Sequence, residues 1–350
     1  MSKMTRFLLL GSLLLVGGAG AQVKETPATL GLLEGGNPRG FVQGSNDQGI
    51  LFATASGSRG QLVPYTKIRG EGLDKLIRFD ERTEALSEAR VMFGEGRYDE
   101  AGEAFGVVAR NYAIIISAPQ NFASEALFYQ LECLRRAGKF AQLGQLMEAP
   151  VVVTVETKLS DFYQKSFEYQ KLWALLGQKD IEGLRTALAA YQQPVLGDAK
   201  LLPTANFNVL PPAELAQLGY LRAKVFEADG ETEKAGSDFY RAFTLAYGND
   251  PMVSKLAMGA SMQIQIQNPL IASDDKAAIS ELQSVAYLFS KRFGDETMPA
   301  ELKAFAIRPS VPVPVIAPDA EIEAAPAEPE EAPVEAEEEK GKGKGKEKAK

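Results

Sequence analysis

Apolar residues recur every three or four positions over most of this chain, and twice they do so in nearly the same phrase. Residues 85 to 111 run A-L-S-E-A-R-V-M-F-G-E-G-R-Y-D-E-A-G-E-A-F-G-V-V-A-R-N, and residues 219 to 246 run G-Y-L-R-A-K-V-F-E-A-D-G-E-T-E-K-A-G-S-D-F-Y-R-A-F-T-L-A. Each reads as an amphipathic helix, a short turn holding Gly96 or Gly230, and a second helix. Ala101 and Ala235 stand five residues past the glycine, and Phe105 and Phe239 nine past it. The same period predicts a hairpin from Ala123 to Glu148, turning at Gly138-Lys139-Phe140. Another takes Phe162 to Leu176 and Ile181 to Tyr191. A fourth opens at Pro212 and stops at Tyr247-Gly248-Asn249-Asp250-Pro251, and two more helices follow at Val253 to Gln265 and Asp275 to Phe293. Val151 to Val155 is β-branched after Pro150 and reads as an extended linker or an apolar helix start. Residues 192 to 211 form a long Pro-punctuated connection whose apolar side chains predict that it packs.

Before the helices the period shortens. Gly40 to Gln43, Gly49 to Thr54 and Gln61 to Ile68 are short apolar runs separated by Gly/Ser/Asn/Asp clusters, which predicts a β-meander over residues 40–70. Pro64 marks an edge strand or a bulge. The run G-I-L-F, turn, V-P-Y-T-K-I resembles half of a small SH3-like or Sm-like barrel. That resemblance implies a ligand or docking module; the plainer reading is a β-cap over the first helix. Residues 22–39 are small, polar and Gly-rich, and read as a linker.

The ends differ in composition from the middle. Lys3 and Arg6 precede a Leu-rich run from Phe7 to Val16, and Ala19-Gly20-Ala21 follows. This is the pattern of a signal peptide over residues 1–21 cleaved before Gln22, so export is expected. Residues 306–350 begin with alternating Pro, Val and Ile. From 319 to 339 there are ten acids and no base, and from 340 to 350 six lysines and one glutamate. A disordered tail is expected there, with a Lys-rich end able to meet an anionic polymer.

Chemistry is limited by what is missing. The chain of 350 residues has no histidine and one cysteine. Imidazole catalysis, His-containing zinc sites and intrachain disulfides are excluded. A net charge of −8 argues against nucleic acid. No cofactor, metal site or catalytic residue is expected. Carboxylate-pair catalysis stays open, because acids are abundant.

The hairpins resemble tetratricopeptide repeats. The carried motif is Gly96-x-Tyr98-x-x-Ala101 with Phe105, its copy Gly230-x-Thr232-x-x-Ala235 with Phe239, and the looser Gly138-x-Phe140-x-x-Leu143. The turn glycines are not at the family's constant spacing. In the third hairpin Ile181 must take the role of Tyr98. The fold class expected is therefore mainly α. A helical-hairpin solenoid over 73–305 follows a small β-meander module and precedes the tail; an irregular helical bundle is the plainer alternative. In this family the first helix of each hairpin lines a concave groove. The resemblance then implies partner-binding residues at Arg90 and Phe93; Phe128, Glu132 and Arg135; Tyr169 and Trp173; and Tyr220 and Lys224. The cations are expected to face solvent, and the aromatics compete with a core role. The function this implies is an exported scaffold binding a protein or peptide in the cell envelope. The alternatives are a wall- or membrane-associated spacer tethered through its tail, and a carboxylate-based enzyme.

Overall fold

The computed structural model describes residues 25–68, 77–79, 84–191, 195–197 and 210–308. The expected signal peptide and the tail beyond Arg308 lie outside the described residues. What is described is mainly helical, with a small antiparallel sheet at its N-terminal end.

Five strands form that sheet: β1 (Thr26–Leu30), β2 (Arg39–Ser45), β3 (Gly49–Ala53), β4 (Gln61–Pro64) and β5 (Ile77–Phe79), in the order β4-β3-β2-β1-β5. Every neighbouring pair is antiparallel. Pro64 sits at the end of an edge strand, as expected of a residue that cannot donate to a ladder. The module is larger than the pattern predicts. Thr26–Leu30, inside the stretch that reads as a linker, is a strand with Ala28 and Leu30 buried. It pairs with β2 through Thr26–Val42 and with β5 through Ala28–Phe79. The third predicted strand ends early, in a single 3-10 turn at Tyr65–Lys67.

Twelve α-helices follow among the described residues. They are α1 (Glu84–Gly94), α2 (Tyr98–Asn111), α3 (Phe122–Arg136), α4 (Phe140–Met147), α5 (Pro150–Glu156), α6 (Asp161–Gln178), α7 (Ile181–Tyr191), α8 (Pro212–Ala228), α9 (Thr232–Ala246), α10 (Pro251–Ile266), α11 (Pro269–Ala272) and α12 (Lys276–Phe293). Residues 151–155 therefore take the helical alternative, with Pro150 at the first position, where its missing N–H is harmless.

One turn is used five times. At Gly96, Gly138, Lys179, Gly230 and Asp274 the backbone is left-handed, with φ of 77°, 70°, 63°, 74° and 61°. In each, that residue's N–H bonds the carbonyl three back, and the next N–H bonds the carbonyl five back. Gly96 reaches Phe93 at 3.1 Å and Arg97 reaches Met92 at 2.9 Å; Lys179 reaches Leu176 at 3.1 Å and Asp180 reaches Leu175 at 3.0 Å. This double closure satisfies carbonyls a helix end leaves open. The next helix starts at once, with Ala101, Leu143, Leu184 and Ala235 each donating to the residue four before it. All four are fully buried. The third hairpin thus keeps the register with Lys179 where the first, second and fourth carry Gly, and with Leu184, like Leu143, where the Gly96 and Gly230 hairpins have Ala.

The sheet and the helices share one core. Phe79 of β5 meets Tyr112 at 4.9 Å and Phe122 at 5.7 Å, and these two rings meet each other at 4.8 Å. Ser45 donates to the carbonyl of Ile114 at 3.0 Å, and Lys158 pairs with Asp47 at 2.6 Å. The β-module is therefore anchored on the crossovers before and after the second hairpin. Residues 195–197, inside the long Pro-punctuated connection, are also anchored. Leu196 is buried, its carbonyl accepts from Arg241 at 2.9 Å, and that of Gly197 accepts from Arg222 at 2.7 Å.

Candidate functional site

The first helices of successive hairpins lie side by side, α3 against α6, α6 against α8 and α8 against α10. Side chains along this row are joined by hydrogen bonds with no sequence proximity. Gln170 of α6 donates to the carbonyl of Phe128 at 3.4 Å and to Glu132 at 3.3 Å. The Tyr169 hydroxyl donates to Glu214 at 2.7 Å, and Trp173 Nε1 donates to Gln217 Oε1 at 2.9 Å. Trp173 stacks with Phe140 at 4.8 Å and with Tyr220 at 5.3 Å, and the Arg135 guanidinium lies 5.9 Å from its ring centre.

These are the residues expected to line an open groove, and that expectation needs correction. Phe128, Arg135, Tyr169, Trp173 and Tyr220 are all buried, Trp173 and Arg135 almost completely. They are brought together, but face one another. Large aromatics at helical spacing remove more free energy by burial, about 2–3 kcal/mol each, than exposure to solvent allows. Arg135 also departs from the solvent-facing position expected of a cation. Its Nε and Nη2 bind Glu132 at 2.8 and 2.6 Å, and its Nη1 lies 3.0 Å from Asp250 Oδ2. Burial alone would raise the Glu132 carboxyl, but the charges and hydrogen bonds of Arg135 and Arg136 outweigh it and lower the pKa to about 2. Lys224 is half-buried and pairs with Glu227 on its own helix.

Accessibility returns at the N-terminal side of the row. Arg90, its side chain 48% exposed, binds Glu125 at 2.6 Å. The same carboxylate accepts from the Tyr163 hydroxyl at 3.1 Å. Burial and this carboxylate push the Tyr163 phenol upward, so it stays a donor. Phe93, Tyr129 and Tyr163, all half-buried, form a ring-to-ring line across α1, α3 and α6, with centres 5.2 and 5.8 Å apart. Phe162 extends the line at 5.1 Å from Tyr163 and is 79% exposed. Arg136 covers the other end, 4.8 Å from the Phe93 ring. Of this cluster, the sequence singled out Arg90 and Phe93 as candidates; Glu125, Tyr129, Tyr163 and Phe162 were not among them. The signal was there: Phe162-Tyr163 breaks the amphipathic pattern at the exposed start of α6.

Cavities also lie elsewhere among the described residues. One of about 370 Å³ is lined by Thr232, Gly236, Tyr240, Ile264, Gln265 and Glu281, between α9, α10 and α12. Another of about 330 Å³ surrounds the first turn at Gly96–Glu100. Among the described residues no helix is long and apolar enough to cross a membrane. Cys133 is a free, buried thiol, and burial together with the Glu132 charge pushes it up to about 12. Comparison with protein-family models gives no match, and neither does comparison with curated proteins.

Proposed function

We propose that this protein is an exported scaffold of tetratricopeptide-like hairpins that holds a protein or peptide partner in the cell envelope. Five turns with one hydrogen-bonding scheme, and first helices lying side by side, support a solenoid reading. The turns are roughly 40 to 50 residues apart rather than the 34 of that family, because crossovers such as α5 lengthen the repeat. The strand order β4-β3-β2-β1-β5, with a 3-10 turn after β4, supports a small SH3-like barrel for the N-terminal module. Export rests on the sequence of residues 1–21 alone.

The observation that carries the binding reading is the line Phe93–Tyr129–Tyr163–Phe162, flanked by Arg90 and Arg136. Aromatic rings beside guanidinium groups are the usual anchors of protein interfaces. Phe162, largely exposed, stabilises the fold little where it stands and would gain most from being covered. The test is affinity capture of envelope proteins by the full chain. Phe162→Ser with Arg90→Glu should abolish recovery of a partner that wild type recovers reproducibly, and deleting residues 340–350 should leave it unchanged.

A second reading has one observation in its favour. The inner face of the second to fourth hairpins is filled by its own side chains, as befits a rigid spacer. On that reading the Lys-rich end makes the contact, with an anionic wall polymer or lipid headgroups. Capture lost on deleting 340–350 and kept in the Phe162/Arg90 variant decides for it.

A further inference from the structure

The second helices of the first and fourth hairpins each carry a glycine six residues past the turn, Gly102 in α2 and Gly236 in α9. The two are packed differently. A Cβ on Gly102 would lie 3.1 Å from the Cβ of Cys133, so α2 and α3 are closed against each other there. A Cβ on Gly236 would meet only the branch atoms of Ile264 in α10, at 3.4 and 3.9 Å. At that level α9 and α10 stand apart by the length of a side chain, and the cavity of about 370 Å³ opens beside Gly236. Its volume lies within the range of small-molecule sites, about 300–1,000 Å³.

Polar groups converge on this cavity from three helices. Arg241 and Ser261, 7% and 2% exposed, reach it from the interior. Glu233 and Glu281 bring carboxylates from α9 and α12. Gln265 of α10 donates to Glu281 only at 3.5 Å, and its Oε1 is a buried acceptor without a partner. The protein therefore does not fix this amide, which can turn to a ligand. Tyr240 adds a ring that is 43% exposed and braced on Phe243 at 4.8 Å. Together these groups select by exclusion. An anion meets two carboxylates, and a cation meets the Arg241 guanidinium. A neutral ring with several hydroxyls meets neither conflict. Each hydroxyl donates to a carboxylate or amide oxygen and accepts from a guanidinium, amide or hydroxyl, while the C–H groups of the ring lie on Tyr240 and Ile264.

We propose that this cavity binds one neutral sugar unit, free or as part of a polysaccharide, with Tyr240 as its platform and Glu233, Gln265 and Glu281 as acceptors for its hydroxyls. The site goes beyond the scaffold reading and does not rest on it. The Phe93, Tyr129, Tyr163 and Phe162 line lies on α1, α3 and α6, so either site can fail without the other.

The test is saturation-transfer NMR on the full chain with glucose, galactose, mannose and N-acetylglucosamine, each as the free sugar and as its β-1,4-linked tetrasaccharide. Saturation should reach the ring C–H protons of at least one of them, and its titration gives a dissociation constant. Two variants locate the site. Gly236→Leu fills the cavity and raises helix propensity. Tyr240→Ala removes the platform from an exposed position. Each should raise the dissociation constant by about tenfold or more, with far-UV circular dichroism unchanged. Binding of a free sugar assigns the cavity to a single unit, and binding of a tetrasaccharide alone assigns it to a polymer; both support the proposal when Gly236→Leu removes them. No saturation transfer to any of these sugars overturns it. So does binding that either folded variant retains at full strength, or failure of both variants to fold, since an open cavity cannot be required for packing. Propylamine, added as a cationic competitor, should not displace the sugar; displacement overturns the assignment to a neutral ligand.

Discussion

Arg222 and Asp238 close a two-toothed ion pair in the interior, Nε to Oδ2 at 2.6 Å and Nη2 to Oδ1 at 2.8 Å, with the aspartate carboxylate fully buried. The pair joins α8 to α9, and through the Gly197 carbonyl it also holds the connection that precedes them. Breaking a buried pair leaves a charge without its counterion, at about 3–5 kcal/mol. Asp238→Ala should lower stability by that amount in chemical denaturation. The double replacement Arg222→Met/Asp238→Leu should lose less, because Arg222 is then not stranded and only the longer 3.7 Å contact of Arg241 with Asp238 is given up. Equal losses in the two variants would contradict this.

Ala101 and Ala235 are fully buried where the second helix of a hairpin begins against the first. Replacing either with Leu should cost about 1–3 kcal/mol by overpacking. Glu100 and Lys234, in exposed ion pairs with Arg97 and Glu231, serve as controls and should change stability by less than about 1 kcal/mol on replacement. Thermal melts of the four variants check the register of the hairpins.

The third hairpin turn offers opposite signs at two neighbouring positions. Lys179 is exposed and held at φ 63°, a conformation that disfavours a side chain. Lys179→Gly should stabilise by about 0.5–1 kcal/mol, the steric relief less the added chain entropy. A Cβ on Gly177 would lie 2.0 Å from the Phe140 carbonyl oxygen, which is backbone and cannot step aside. Gly177→Ala should therefore destabilise by about 1–3 kcal/mol or more. Denaturant midpoints of both variants test the pair.

Glu132 makes stability depend on acid. Its folded pKa of about 2 stands below the ordinary 4.5. Above pH 4.5 its contribution is fully present, and it is lost as pH falls through 4.5 towards 2. The loss is on the order of 3 kcal/mol. The unfolding free energy of Glu132→Gln should be lower at pH 7 and lack this part of the acid slope. Parallel slopes for wild type and variant between pH 4.5 and 2 would contradict it.

Cys133 is 1% exposed, and Gly102 of α2 lies against its Cβ. With its thiol held protonated, alkylation by iodoacetamide near neutral pH should proceed only through opening of α3. Its rate should rise with denaturant in step with loss of helical signal. Rapid labelling of the native chain would place the thiol at the surface.

The helical hairpins were legible because their information is local. The Gly96, Gly138 and Gly230 turns, the apolar period on either side, and the prolines at 212 and 251 each specify a helix or its end within a few residues. Even Lys179 was readable in place, since Ile181 and Leu184 hold the spacing that a glycine marks elsewhere. β1 was not legible, for the opposite reason. Thr26–Leu30 is short and mostly small, and becomes a strand because Phe41–Val42 and Phe79, well apart in the chain, supply its neighbours. Residues 151–155 carry β-branched side chains that suit either state, and burial of Val152 and Val155 decides for helix.

By itself, then, the sequence determined most of the helices and the turns between them, and it excluded imidazole chemistry and intrachain disulfides. Periodicity, capping and composition are properties of neighbouring residues, and neighbours are what a sequence records. Only the tertiary structure decided which face of those helices meets solvent. Periodicity places Arg135, Trp173 and Tyr220 on one side of their helices, but cannot say what stands opposite. Asp250, more than a hundred residues away, reaches Arg135, Gln217 reaches Trp173, and the expected groove becomes interior. Phe162, which the same periodicity places near the start of a helix, stays exposed because no element among the described residues covers it.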